Sequence, residues 1–263
     1  MFPDAASRPV LRAFRAVTRP VVDYALPPRC PGCGAIVDAD HRFCLPCWSS
    51  MRFLTEPCCA RCGLPFDYDR GADALCGACL ADPPQYDRAR AVLAYGDIAR
   101  TVALRLKYGR RTGLARLIAA QMLRHVPEQG REGMLIVPVP LHRWRLWWRG
   151  FNQSALIGDH LGRLTGIAVD KQLLLRARRT PPLRGLGPRE RLRVVRGAFM
   201  VAPGRKADLA GRTVLLIDDV HTIGATAGAC ARTLRRAGAG AVHLLCWARV
   251  VPGEADEEAT GLD

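Results

Sequence analysis

Close to the C-terminus the chain reads Val214-Leu-Leu-Ile-Asp-Asp-Val-His-Thr-Ile-Gly-Ala-Thr226. Thr213–Ile217 has the composition of a buried strand, and it ends on two adjacent carboxylates, Asp218 and Asp219. A short loop through Thr222, Ile223, Gly224 and Ala225 then enters a helix that is expected to begin at Thr226. In a parallel sheet, ligands bind beyond the carboxyl ends of the strands. The unpaired N–H groups of a helix N-terminus attract anions. Gly224 allows a phosphate close to the backbone, and Thr222 and Thr226 add hydroxyl donors. Carboxylates repel phosphate, so beside such a loop they suit sugar hydroxyls or a divalent cation. The combination predicts a sugar-phosphate site, with Asp218 and Asp219 on ribose hydroxyls and residues 222–226 on a 5′-phosphate. The plainer alternative is an Asp-Asp pair that only caps a helix. His221, within the loop, suits either solvent or an acid–base role.

A second chemistry lies in the N-terminal third. Nine of the eleven cysteines fall between positions 30 and 79. Eight form pairs separated by two residues: Cys30/Cys33, Cys44/Cys47, Cys59/Cys62 and Cys76/Cys79. That spacing lets one tight turn aim two thiolates at a single ion, and two such turns complete a tetrahedral zinc site. Eight ligands imply two structural zinc ions, paired in sequence order or crossed between the first and third pairs. Redox-active dithiols are the competing reading, and four repeats of one spacing argue against it. Cys58 competes with Cys59 as a ligand, while Cys230 and Cys246 read as core thiols. The N-terminus has arginines interrupting its apolar residues and lacks the continuous apolar core of a secretory signal. The cysteines therefore point to metal in a cytoplasmic protein.

The elements that must position these groups change character along the chain. Residues 1–27 read as an amphipathic helical segment, in which a helix would put Val10, Leu11, Phe14, Val17 and Val21 roughly on one side, suited to packing or to a membrane surface. Residues 28–86 carry the cysteine pairs and few long apolar runs. Residues 87–251 follow an α/β rhythm, and an acidic tail occupies 252–263. Strands are expected at 88–95, 135–139, 213–217 and 241–248, and helices at 98–108, 114–123, 152–165 and 226–237. Alternation of this kind implies a mainly parallel sheet covered on both faces. Residues 176–196, with eight arginines, three prolines and two glycines, read as a mobile loop. No apolar run is long enough for a transmembrane helix.

The formal charge of +15 is uneven: −1 over residues 1–87, +19 over 88–212 and −3 over 213–263. The basic centre suits phosphate-bearing partners. Within it, His142-Arg-Trp-Arg-Leu-Trp-Trp-Arg149 interleaves three tryptophans with three arginines. Exposed, such a run stacks bases and follows a phosphate backbone. Core packing, a protein contact and a membrane surface are the alternatives. Arg149 is placed to meet phosphate, and Asn152 to cap the following helix or touch ligand.

Taken together, these motifs resemble the ComF family of competence-associated proteins. The resemblance rests on the cysteine pairs, the 214–226 segment, Leu106-Lys107-Tyr108, Val137-Pro-Val-Pro140, Arg149-Gly-Phe-Asn-Gln153 and Arg196-Gly-Ala-Phe199. It implies a double zinc ribbon followed by a sheet of the type I phosphoribosyltransferase kind, whose phosphoribosyl-pyrophosphate (PRPP) signature the 214–226 segment is similar to. Ile223 stands where many members have a second threonine. The resemblance also implies a PRPP or related sugar-phosphate ligand, Mg²⁺ if turnover occurs, and catalytic roles for Asp218 and Asp219. Lys107, Val139, Arg143, Arg149 and Asn152 would lie on the pyrophosphate side. Arg189 and Arg191 would belong to a flexible hood spanning 176–196. In that hood Leu183 and Val194 replace a usual glutamine and asparagine, which removes polar groups from the closing surface. DNA uptake in natural transformation, with single-stranded DNA and competence-machinery proteins as partners, is the implied setting. A non-catalytic single-stranded-DNA or nucleotide-binding module is the alternative within it.

Overall fold

The computed structural model describes residues 27–181, 185 and 187–253. The amphipathic segment up to Leu26, Leu183 and the tail from Glu254 lie outside the described residues. Two compact units divide between Ser50 and Met51.

The described part of the first unit is a single cysteine ribbon. Arg29 bridges Ile36 in antiparallel sense around the first cysteine turn, and Leu45–Ser49 forms one short helical turn after Cys44.

The second unit is built on a four-stranded parallel sheet. Its strands are β1 (Arg88–Ala94), β2 (Met134–Pro138), β5 (Thr213–His221) and β6 (Ala241–Arg249), in the order β1-β6-β5-β2. A separate antiparallel pair joins β3 (Leu174–Arg176) to β4 (Phe199–Val201). After one short helical turn at Gly77–Ala81, the longer helices are α1 (Asp97–Lys107), α2 (Leu114–Met122), α3 (Arg143–Arg149), α4 (Gln153–Thr165), α5 (Pro188–Val195) and α6 (Ala225–Arg236). This is the mainly parallel α/β architecture, with a cysteine-rich ribbon before it, that the alternating pattern predicts.

Register explains the core. Val137, Leu216, Leu244 and Ala89 stand side by side across the sheet, as do Leu135, Val214 and Val242. Side chains alternate between faces with period two, so these rows share one face. They pack against Cys230, Ala231 and Leu234 of α6, against Leu173 and Phe199, and against the buried cysteines 59, 62, 76 and 79. The opposite face receives α1 and α4. The Trp247 indole donates to the Ala99 carbonyl at 3.2 Å, and Gly158 lets α4 approach Ile136. Both sheet edges are covered. Residues 52–54 pair with β1 through Ala94 N to Arg52 O and Leu54 N to Val92 O, each 2.9 Å. Ala168–Asp170 pairs with Ile136 of β2. Covering an edge removes the template it offers to other chains.

Two expectations are corrected. The stretch 176–196 is not wholly a loop, because its second half folds as α5. Pro188 occupies the first helical turn, where its fixed φ is favourable, and the Glu190 carboxylate accepts the Gly187 N–H at 3.0 Å. Turn-type residues there mark a helix start. The strand expected to end at Ile217 continues to His221, because β6 runs beside it as far as the His221–Arg249 pair.

The second cysteine ribbon is part of this unit's core. Gly63, at φ +69°, faces the backbone of β1, and a Cβ there would stand 2.5 Å from the Ala89 carbonyl oxygen. The Ala89 N–H in turn donates to the Arg61 carbonyl at 2.6 Å. Gly63→Ala combines left-handed backbone strain with that clash, and it is expected to cost at least about 2 kcal/mol. Urea unfolding of the zinc-loaded protein measures this; an unchanged midpoint would show that the ribbon does not press on the sheet.

Candidate functional site

The two four-cysteine clusters repeat one local design. In each, the first pair sits on a tight turn: Cys30 N donates to Ala35 O (2.7 Å), and Cys59 N to Leu64 O (2.8 Å). Gly34 and Gly63 close those turns at φ +86° and +69°. In each, the second pair opens a helical turn, with Cys44 and Cys76 at the N-cap. The four sulfurs of Cys30, Cys33, Cys44 and Cys47 lie within 4.8 Å of one another, as do those of Cys59, Cys62, Cys76 and Cys79. Contacts of 3.5 Å (Cys33–Cys44) and 3.7 Å (Cys62–Cys76) are close to the edge of a tetrahedron with Zn–S bonds of about 2.3 Å.

Backbone N–H groups of Cys44 and Cys76 point at the sulfurs of Cys30 and Cys59. Burial opposes a thiolate at both, yet the surrounding backbone N–H groups, Cys44 foremost at Cys30 and Cys62 foremost at Cys59, prevail and bring the two down to about 6 and about 7. At Cys47 and Cys79, burial and the crowded neighbouring sulfurs push the other way. Four sulfurs so arranged need a cation to hold them together, and the donor set fits structural zinc. Pairing follows sequence order, and Cys58 belongs to neither cluster. Zinc analysis is expected to give about two ions per chain. Cys79→Ser should lose one and lower the melting temperature of the sheet, whose core that cluster shares.

The acidic strand end lies in a pocket at the carboxyl ends of β5 and β2. Lys107, Val139, Arg149, Arg191, Asp218, Asp219, Thr222, Gly224, Ala225 and Thr226 all line it. Alternation along β5 separates the two carboxylates. Asp219 is 3% exposed and turns toward the end of α1, where Lys107 Nζ lies 2.9 Å from its Oδ2. Lys107, itself 6% exposed, is therefore a buried partner and not a solvent-facing helix residue. Asp218 takes the other side, near Cys230 of α6, whose thiol is pushed up by burial and then by this carboxylate. Its Oδ1 accepts the Asp219 N–H at 2.9 Å and faces the Ser154 hydroxyl at 3.4 Å.

Beyond the strand, Gly224 adopts φ +77° as the N-cap of α6. This turn exposes the first N–H groups of a twelve-residue helix to the pocket. The space beside Gly224 is taken by the His221 ring, 3.1 Å from where a Cβ would stand. His221 is buried and shares a 3.2 Å hydrogen bond between Nε2 and the Tyr86 hydroxyl. Burial, then the Arg249 charge, push its imidazole down to about 3, so it stays neutral and serves as packing for the loop.

Two arginines that were not among the sequence candidates join the pocket. Arg145, four residues before Arg149 on α3, and Arg176 from β3 line it together with the expected Arg149 and with buried Arg191 from α5. Arg149 donates to Gln153 Oε1 at 2.6 Å and stacks 5.1 Å from the Tyr108 ring centroid. Asn152 caps α4, accepting from Ser154 N at 3.0 Å, while its amide donates to the Val139 carbonyl at 3.0 Å. It fixes the loop after β2 and does not line the pocket. Three other candidates also stand apart. Arg143 is exposed on α3, Ile223 is 45% exposed, and Arg189 lies with Arg193, Arg196, Arg232 and Arg236 along a groove between α5 and α6. Gln153, Ser154, Arg145 and Arg176 carry no signature alone; only the register of α3, α4 and β3 against β5 brings them in.

Lys107→Met would leave Asp219 charged and buried without its partner. The expected cost is about 3–5 kcal/mol, measured by urea unfolding. Adding Asp219→Leu should recover much of it. A single variant as stable as the parent would contradict a buried pair.

With this geometry in place, comparison with known proteins adds ancestry. The double zinc ribbon domain family matches residues 21–80. The DNA utilization protein YhgH of Salmonella typhi is 35% identical over 199 residues, covering 73% of this chain and 84% of that protein. Competence protein F of Haemophilus influenzae is 29% identical over 227 residues, 84% of this chain and 96% of its own. Competence protein ComFC of Bacillus subtilis is 25% identical over 219 residues, 77% and 82% of the two chains. The similarity spans the ribbon and the sheet alike, and the chain belongs to the ComF family.

Proposed function

We propose that this protein binds PRPP or a closely related sugar phosphate, in the cytoplasm, as part of DNA handling during natural transformation. The setting follows from relatives whose names carry DNA utilization and competence. The ligand class follows from one observation: five cationic side chains and two carboxylates meet at the N-terminus of α6. Lys107 pairs with Asp219, and Arg145, Arg149, Arg176 and Arg191 line the same pocket as Asp218. Such a balance suits a ligand with several negative charges and at least one hydroxyl to offer.

In this reading the α6 N-terminus, Thr222 and Thr226 hold the 5′-phosphate through N–H and O–H donors. Asp218 accepts ribose hydroxyls and opposes the positive charge that grows on the sugar ring as the pyrophosphate bond lengthens. Arg149, Arg176 and Arg191, with the loop at Val139, take the pyrophosphate. Mg²⁺ bound to the pyrophosphate would neutralise the leaving charge. Lys107 and Asp219 act as a positioning pair that fixes β5 against α1. No nucleophilic side chain is needed, since the acceptor would attack the sugar directly.

A reading without turnover is favoured by the hood. Val194, where the resemblance expects an asparagine, packs against the apolar core, so it brings no polar group to a closing surface. Binding would then serve recognition, and the pocket would be kept for nucleotide or DNA phosphate.

Calorimetric titration of zinc-loaded protein with PRPP and Mg²⁺ tests the proposal. Binding is expected, weakened about tenfold to a hundredfold in Asp218→Asn through loss of charged hydrogen bonds. No binding heat from the folded parent would refute it. Pyrophosphate release in the presence of nucleobases then separates turnover from binding alone.

A further inference from the structure

We propose that the outer face of α3 is a stacking platform for the unpaired bases of single-stranded nucleic acid. Trp144, Trp147 and Trp148 occupy positions i, i+3 and i+4 of this helix, so they share one side. They are 55%, 78% and 67% exposed. Core packing is therefore not their role in this unit, and three exposed tryptophans clustered on one helix mark a binding site. The rings form two pairs. Trp144 meets Trp147 edge-on at 6.3 Å, and Trp148 meets Tyr108 edge-on at 6.3 Å. Tyr108, 48% exposed, carries the Arg149 guanidinium on its ring. An edge-on contact covers one face of one ring in each pair, and the exposure of the three indoles leaves further ring surface open; a flat apolar face beside a cation is what an unpaired base on a phosphate chain can use.

Charge selects the occupant. The seven residues of α3 include Arg143, Arg145 and Arg149 and no acidic residue. Arg143 stays exposed, while Arg145 and Arg149 turn toward the pocket. One helix thus presents aromatic rings outward and guanidinium groups along its flank. Duplex DNA hides the faces of its bases, so a single strand is the better match. The platform uses residues outside the sugar-phosphate pocket and does not rest on the proposed PRPP reading.

The test is fluorescence anisotropy of a labelled oligothymidylate with the zinc-loaded full chain. Trp147→Ala/Trp148→Ala is expected to weaken binding about tenfold or more, whereas Trp147→Phe/Trp148→Phe should retain most of it. An abasic oligomer of equal length should bind the parent about as weakly as oligothymidylate binds the alanine variant. Arg143→Ala should lower the salt slope by about one. Unchanged melting and PRPP titration in the alanine variant would show that the fold and pocket are intact. Equal binding of oligothymidylate by parent and alanine variant would overturn the proposal. So would equal binding of the abasic oligomer by the parent, or an alanine effect seen only with phosphatidylglycerol vesicles.

Discussion

Two opposite charges, Lys107 and Asp219, leave water together at the end of β5, and the site's geometry depends on that pairing. A buried charge is costly unless it is paired, so neither side chain tolerates the other's displacement. Their 2.9 Å contact joins the end of α1 to a strand in the middle of the sheet. It fixes the height at which β5 stops being a core strand and becomes a ligand-facing one. Asp218, its neighbour, is carried to the opposite face by alternation alone. Two adjacent acids at the edge of one pocket thus acquire different partners: Asp219 pairs with Lys107, and Asp218 accepts the Asp219 N–H and faces the Ser154 hydroxyl.

The second ribbon contributes to the same end of the molecule through backbone contacts. Arg249, paired in register with His221 at the end of the sheet, donates to the Cys62 carbonyl. Tyr86, just before β1, reaches His221, and His221 lies against the Gly224 turn that opens α6. A chain of packed groups therefore runs from a cysteine turn to the anion-facing loop. Zinc that holds the cysteine turn also holds the wall on which the loop rests, without touching ligand.

Much of this was legible because it is local. The CxxC spacing is set by one turn, the apolar run 213–217 by one strand, and the Gly224 turn by one backbone angle. The resemblance extended this by motif order. What was not legible depends on register between distant segments. Nothing around Lys107 announces burial, since a lysine ending an amphipathic helix is ordinarily solvated. The Trp–Arg run left several environments open, and its outward placement is decided by which side of α3 meets the pocket. Arg189 and Arg191 are two residues apart on α5, yet a helix turns them to different sides, so one lines the pocket and the other does not. The hood composition misled for a further reason: Gly-Pro reads as loop punctuation, but the same pair starts a helix when an acid three residues after the glycine caps its N–H.

The balance of charge in the pocket constrains its ligand more tightly than the basic composition of the chain does. Inorganic phosphate or a simple polyphosphate would satisfy the arginines but would set its own oxygens against Asp218. A neutral sugar would suit Asp218 and make no use of the four guanidinium groups that line the same pocket. A ligand with phosphates at separate points, and hydroxyls between them, answers both requirements at once. On that reading the Lys107 contact with Asp219 sharpens this choice, because a second carboxylate facing the ligand would weaken phosphate binding. On the proposed reading, the buried lysine would act on selectivity from behind the site, by pairing one of the two carboxylates that border it.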